Sequence, residues 1–396
     1  MRVALVTGGL PLGGSTTFTL YLARGLQSVG VNAQVFSFSS DHPLAPEFSA
    51  AGIKTHTRNE HLEIYEDRLE SLYRLIRAFD PSVAMAVLGV ESFEMLRYLP
   101  AGVLRLGVIH DMAIQPHTFI PPYRQTLDHL VVVARYLIPE VARIENCPPV
   151  RYLPLGIPIT NLVAPRNPNP DRPLRLLYYG RLENESKGVR LFPKIADALK
   201  RRGLRYYWTI QGKGPEEDFL RKALASEIRE GVVSLTPPVE LARLASVVRN
   251  HDIYLLSSTN EGGPLTLLES MALGLVPVCG DIPGLVTEVI DANNGFRVPQ
   301  AEADAYAQSI GALDADRALL ERMSVAACKK ITGNFSQEAM GERFAEFFRS
   351  CADRASPRIW PDAISPRGLT GIALLTSSPL GRSLRRLHKR LRVRSA

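Results

Sequence analysis

The sequence predicts an α/β protein of two doubly wound parallel-sheet domains. Three observations carry this. The chain has 396 residues, long for one domain and natural for two with an appendage. Short apolar runs of strand length alternate with longer stretches at helical spacing, and the alternation occurs twice. Between the two series lies Thr160–Pro173, where Pro165, Pro168, Pro170 and Pro173 stand among Asn and Arg with little apolar periodicity, which reads as an interdomain linker.

In chain order, Arg2–Thr7 is a strand because Val3–Val6 is an unbroken apolar run stopped at Gly8, too short for a signal-peptide core. Ser15–Val29 reads as a helix and Ala33–Phe38 as a strand. His61–Phe79 is a long helix, with Leu62, Tyr65, Leu69, Leu72, Leu75 and Ile76 on one stripe. Strands follow at Val83–Leu88 and Leu104–Ile109, the second delivering His110 and Asp111 at its C-terminal end, then at His129–Val133 and Val150–Leu153. The second series runs Leu174–Tyr179 (strand), Leu191–Arg201 (helix), Tyr206–Gln211 (strand), Pro215–Ala225 and Val239–Arg249 (helices), and Ile253–Ser257 (strand). It continues with Pro264–Leu273 (helix), Val276–Cys279 (strand), and helices at Gly284–Asp291, Ala301–Leu313, Ala315–Ile331 and Ser336–Cys351. The expected division is a Rossmann-like domain at 1–159, the linker at 160–173, a second Rossmann-like domain at 174–335, a helix at 336–352 returning to the first domain, and a tail at 353–396.

Hydrophobic residues make up 45% of the chain and charged residues 22%, an ordinary globular balance. No uninterrupted apolar stretch reaches the length of a spanning helix. Cys147, Cys279, Cys328 and Cys351 form no CxxC pair and have no His at metal-ligand spacing, which argues against a zinc site or a disulfide framework and for a reducing, cytoplasmic setting. The net charge of +7 belongs to the end of the chain: Arg382, Arg385, Arg386, Lys389, Arg390, Arg392 and Arg394 leave the remainder formally neutral. A nucleic-acid-binding body is therefore disfavoured.

The strongest constellation is Glu261-Gly262-Gly263-Pro264-Leu265-Thr266-Leu267-Leu268-Glu269, which follows a strand and opens a helix stopped at Gly274. Pro264 suits the first helical position, where its missing N–H is no loss. The glycines admit a ligand close to the backbone, and free amides with the helix dipole attract a diphosphate. Glu269, on the helix, suits a ribose diol, and Glu261, on the loop, the hydroxyls of a sugar. The same junction also reads as a capped helix with two solvated acids. Gly180-Arg181-Leu182 with Lys187-Gly188 follows the strand Leu174–Tyr179, so Arg181 and Lys187 sit where open α/β sheets bind ligands and suit a pyrophosphate, or else are solvated surface cations. Gly8-Gly9-Leu10-Pro11-Leu12-Gly13-Gly14-Ser15 joins the first strand to the first helix without GxGxxG spacing. A dinucleotide fingerprint is thus weak, and both a phosphate-closing loop and a plain turn stay open. His110 ends a strand on the ligand side, as a site residue or a structural one. Gln211-Gly212-Lys213-Gly214-Pro215 reads as a turn.

In this order the segments resemble the family-4 retaining glycosyltransferases of the GT-B class, also known as glycosyl transferases group 1. The matching residues are Gly13-Gly14, His110-Asp111, Leu155-Gly156-Ile157-Pro158, Gly180-Arg181-Leu182 with Lys187-Gly188, Gly212-Lys213-Gly214-Pro215, the Glu261–Glu269 run, Gly274-Leu275-Val276-Pro277-Val278 and Asn294-Gly295-Phe296, over roughly residues 1–350. The resemblance implies two domains facing a central cleft and transfer of a hexose from a UDP- or GDP-sugar to a glycan or lipid-linked acceptor, in cell-surface polysaccharide or glycolipid synthesis. It further implies that Arg181 and Lys187 bind the donor diphosphate and Glu269 the ribose. Glu261 with Gly262, Gly263, Pro264, Leu265 and Thr266 would bind the sugar, Gly13 and Gly14 would approach the phosphate, and His110 would touch the transferred sugar. No metal, cofactor or enzymic nucleophile is implied, because the leaving phosphate accepts the proton in a front-face attack. Lys213, often Asp or Glu in the family, and Gly263, often bulky, bear on donor preference. Alternatives are a nucleotide-sugar epimerase of the same fold and a non-catalytic sugar-nucleotide-binding scaffold; a nicotinamide dehydrogenase is the fold-level confounder.

Leu380, Leu384, Leu387 and Leu391 recur at spacings of four, three and four among the seven cations. As a helix this is one apolar stripe flanked by charge, fitted to an anionic membrane surface, with a solvated end or an oligomerisation helix as the other readings.

Overall fold

The computed structural model describes residues 1–40, 43–59, 63–111, 115–159, 171–351, 359–364 and 383. The chain divides into two compact units. One comprises Met1–Val133, Ile138–Gly156 and the described residues from Gln337 onward; the other comprises Ala134–Leu137 and Ile157–Ser336.

The first unit holds a sheet of β1 (Arg2–Thr7), β2 (Asn32–Ser37), β3 (Thr55–His56), β4 (Val83–Leu88), β5 (Leu104–Ile109), β6 (His129–Val132) and β7 (Val150–Tyr152). The order is β3-β2-β1-β4-β5-β6-β7, and every pairing is parallel. Parallel strands covered on both faces need continuous apolar runs, and Val3 to Val6 are wholly buried. The second unit holds β8 (Leu174–Tyr179), β9 (Tyr206–Gln211), β10 (Val233–Thr236), β11 (Ile253–Leu256), β12 (Val276–Gly280) and β13 (Phe296–Val298), in the order β10-β9-β8-β11-β12-β13, again all parallel. Its core packs Tyr178, Phe192 and Trp208 with Leu174, Leu176, Ile195, Ile210, Ile253 and Val276. In each sheet the direction of strand addition reverses once, between β1 and β4 and between β8 and β11. At such a switch point the loops leave the strand ends in opposite directions and open a crevice.

Two features close the first unit. Helices Gly14–Ser28 and Gln337–Ser350 cross backbone to backbone, since a Cβ on Gly341 would lie 2.0 Å from the Gly25 carbonyl oxygen. Beyond that last helix, Trp360 Nε1 donates to Asp80 Oδ1 at 3.0 Å and Tyr73 OH to the Pro361 carbonyl at 2.6 Å. Arg77 donates to the Pro361 carbonyl at 3.0 Å and to Asp362 at 2.8 Å.

The strand-and-helix alternation holds, with differences that have local causes. The helix expected from His61 begins at Tyr65, because Ile64 is extended at its N-cap; His61 and Leu62 lie outside the described residues. Pro264 precedes its helix as the N-cap, with ψ 102°, so Leu265 is the first helical residue. The short strands β3, β10 and β13 and the helices at Ala45–Ala50, Val90–Leu96, Gln115–Tyr123 and Leu137–Ala142 have no local sequence signal; all are brief, and the third of these helices holds Pro121 and Pro122. The linker at 160–170 and the stripe at 380–396, Ser383 aside, lie outside the described residues. Among the described residues no helix is long and apolar enough to cross a membrane.

Candidate functional site

The loops after β8 and β11, at the switch point of the second sheet, carry Arg181, Lys187 and Glu261, and the helix Leu265–Ala272 that follows carries Glu269. β8 ends in two tyrosines, and strand alternation sends their rings to opposite faces. Tyr178 packs edge-on against Phe192 at 4.8 Å, and its hydroxyl donates to the Arg181 carbonyl at 2.8 Å. Tyr179 turns to the helix, where its hydroxyl meets the Thr266 carbonyl oxygen at 2.8 Å and Glu269 Oε2 at 3.1 Å. Burial, then the nearby Glu269, pushes the Tyr179 phenol well above its ordinary value, so it stays a donor. Thr266 is held in turn by Tyr254, whose hydroxyl lies 2.7 Å from Thr266 Oγ1.

The loop bearing the two cations is fastened along its length. Gly180 N donates to the Gln211 carbonyl and Leu182 N to the Lys213 carbonyl, both at 3.0 Å, so the Gly212-Lys213-Gly214-Pro215 turn acts as a backbone support. Ser257 Oγ donates to the Lys187 carbonyl at 2.9 Å. Gly188 has φ 62°, and a Cβ there would sit 2.3 Å from the Ser257 carbonyl oxygen, so only glycine fits. Arg181 is exposed and pairs with no carboxylate among the described residues. Lys187 differs: its Nζ pairs with Glu261 Oε1, which also accepts from Ser258 Oγ at 2.8 Å. The expected diphosphate grip by Lys187 therefore requires that cation to exchange or share its partner.

Gly262 accepts from Leu285 N at 3.1 Å, and the Pro264 carbonyl accepts from Leu267 N at 3.1 Å. No side chain caps the helix at Leu265, which leaves the Leu265 and Thr266 amides to water or a ligand. Leu265 is buried, Thr266 and Gly263 are partly so, and Glu269 is 8% exposed.

Gly13, Gly14 and His110 belong to the first unit. Gly13 and Gly14 form the exposed turn after β1, the Gly13 carbonyl accepting from Thr17 N at 3.0 Å. A Cβ on either glycine would meet nothing within 4 Å, so nothing in that unit requires glycine there. His110 follows β5 with its ring edge-on to Phe18 at 5.1 Å. Burial pushes the imidazole down to about 4, against a raising hydrogen bond with the Val87 backbone, so the ring is neutral near pH 7. Sequence reasoning missed Tyr179, Ser257 and Ser258. The doubled tyrosine before Gly180-Arg181 was the one available signal, since two hydroxyls closing a buried strand need partners.

Residues 162–330 match the family described as glycosyl transferases group 1. WcaL of Salmonella typhimurium, named for colanic acid biosynthesis, is 26% identical over 69% of this chain and 71% of its own. The amylovoran biosynthesis glycosyltransferase AmsK of Erwinia amylovora is 30% identical over 46% of this chain, and the match spans just 46% of AmsK. Among solved structures, S. aureus TarM, in a complex containing UDP, superposes with a TM-score of 0.74 over 88% of this chain and 99% of its own at 12% identity, a likeness of fold. The chain thus has two parallel-sheet Rossmann-like domains of GT-B type, and the second carries the match to the glycosyl transferases group 1 family at residues 162–330.

Proposed function

We propose that the chain is a retaining, metal-independent hexosyltransferase that uses a UDP- or GDP-sugar and a glycan or lipid-linked acceptor in cell-surface polysaccharide or glycolipid synthesis. The observation that carries this reading is the meeting of Lys187 with Glu261 at the β8/β11 switch point, on the loop that also carries Arg181. Arg181 takes the diphosphate of the donor, and Lys187 swings from Glu261 onto it, the two cations stabilising the leaving group. Glu261, released, takes sugar hydroxyls with the amides of Gly262, Gly263, Leu265 and Thr266, and Glu269 takes the ribose diol. The acceptor hydroxyl attacks the anomeric carbon from the side the diphosphate leaves; the C–O bond to phosphate breaks and the departing phosphate oxygen takes the proton. Gly13 and Gly14 approach that phosphate, and His110, neutral, hydrogen-bonds the transferred sugar. The relatives named for colanic acid and amylovoran synthesis support the product class.

The test is a thermal-shift screen over UDP-, GDP- and ADP-sugars, followed by transfer assays. A ligand at 100 times its Kd stabilises by about 2.7 kcal/mol. Absence of any shift, or transfer that collapses with chelator or inverts the anomeric centre, overturns the corresponding part. Turnover of the sugar nucleotide to an isomer with no acceptor would favour an epimerase, and full activity in Glu261→Ala would remove the assigned role of that carboxylate. We further propose that residues 380–396 dock the enzyme on an anionic cytoplasmic leaflet near a lipid-linked acceptor. Unchanged binding to anionic vesicles after deletion of 380–396 counts against it.

A further inference from the structure

We infer that Tyr179 is a positioning residue for nucleotide recognition: its phenol sets the direction of the Glu269 carboxylate. The inference rests on the reading of Glu269 as the ribose-binding group. Glu269 is the fifth residue of the helix Leu265–Ala272, on a flexible two-methylene stem, so the helix alone does not fix its carboxylate plane. A diol is recognised bidentately only when that plane is fixed, because both oxygens must meet hydroxyls held by one ring.

Tyr179 supplies the constraint. It is the last residue of β8, 6% exposed, with its ring edge-on to Tyr254 at 5.5 Å. Its single phenolic proton is shared between Glu269 Oε2 at 3.1 Å and the Thr266 carbonyl oxygen at 2.8 Å, one turn earlier on the same helix. Ser270 Oγ donates to the phenol oxygen at 3.3 Å, from the residue next to Glu269. The phenol therefore grips the helix at three points of one face. Fixing Oε2 in a planar group fixes Oε1 as well. Because Tyr179 stands two residues before Arg181, one strand end orders both the ribose carboxylate and the start of the diphosphate loop.

The experiment measures binding of UDP and GDP and of their 2′-deoxy and 3′-deoxy counterparts to the full chain, Tyr179→Phe and Glu269→Gln. Wild type is expected to prefer the better-bound ribonucleotide over its deoxy forms by about tenfold, the worth of one hydrogen bond to a charged group. In Tyr179→Phe that preference falls to roughly threefold or less, with weaker binding of the ribonucleotide. The ratio is internal to each folded population, so a stability loss does not mimic it. Should Tyr179→Phe fail to fold, Ser270→Ala, which removes the donor to the phenol oxygen, is expected to reduce the ratio in the same sense. A full wild-type ratio in Tyr179→Phe, or in Ser270→Ala if that stand-in is used, overturns the positioning role and leaves the Glu269 reading standing. A wild type without preference, or a Glu269→Gln that keeps it, overturns that reading and this inference with it.

Discussion

Lys187 and Glu261 neutralise one another across the loops that follow β8 and β11, with Ser258 Oγ holding the same carboxylate oxygen. The pair is partly buried, with side chains 22% and 11% exposed, so removing either partner strands the other. Lys187→Met and Glu261→Gln are each expected to cost roughly 1–3 kcal/mol of stability and to lower turnover by about 100-fold or more. The swapped double variant, Lys187→Glu with Glu261→Lys, recovers stability in a thermal melt but not sugar transfer. Recovery of transfer would mark the pair as a structural tie.

Gly188 sets the path of the cation-bearing loop, and the cost of replacing it is readable in donor binding. At φ 62° with the Ser257 carbonyl 2.3 Å from a would-be Cβ, Gly188→Ala displaces the segment that Ser257 Oγ fastens. The expected outcome is a rise in donor KM of about tenfold with a smaller change in kcat, since the cations remain but their placement is lost. Steady-state kinetics across donor concentration decide it.

His110 gives the first unit a pH dependence of known sign. Its imidazole sits at about 4 when folded against 6.5 when free, so the unfolded chain binds a proton that the folded chain rejects between those values. Stability therefore falls as pH drops from about 6.5 to about 4 and is flat, for this group, on either side. The loss is on the order of 3 kcal/mol at most. Denaturant titrations of His110→Gln are expected to show a shallower decline over that window than wild type.

The crossing of Gly25 and Gly341 predicts a purely mechanical defect. Gly341→Ala places a methyl 2.0 Å from the Gly25 carbonyl oxygen and forces the two helices apart, for about 1–3 kcal/mol. At about 2–4 °C per kcal/mol the melting temperature falls by several degrees. A thermal melt of Gly341→Ala beside wild type decides it.

Much of this was legible because buried parallel strands leave an unmistakable mark. β1, β4, β5, β8 and β9 fell on the expected residues because buried apolar side chains dominate each, although Arg175 of β8 and Tyr207 of β9 are exposed. The position of the loops after β8 and β11 was legible for the same reason: once the strands were placed, the motifs beside Arg181 and Glu261 had to sit at their ends. What escaped depends on contacts between distant segments. Nothing local marks Phe296–Val298 as a strand; it pairs because Val278, Cys279 and Gly280 pass beside it. Lys187 reads as a free cation until Glu261 is brought to it from 74 residues away, and Tyr179 reads as core until its hydroxyl meets Glu269.

The fastening of Trp360 and Pro361 onto Tyr73, Arg77 and Asp80 shortens a leash. Measured from Ser350, the leucine-and-arginine stripe beginning at Leu380 would hang on about thirty residues, about 100 Å at full stretch. Measured from Ile364 it hangs on about sixteen, about 55 Å. The greatest reach of the stripe from that anchor is thus about half of what it is from Ser350. The anchor belongs to the unit that holds Tyr73, so any hold the stripe takes is referred to that unit.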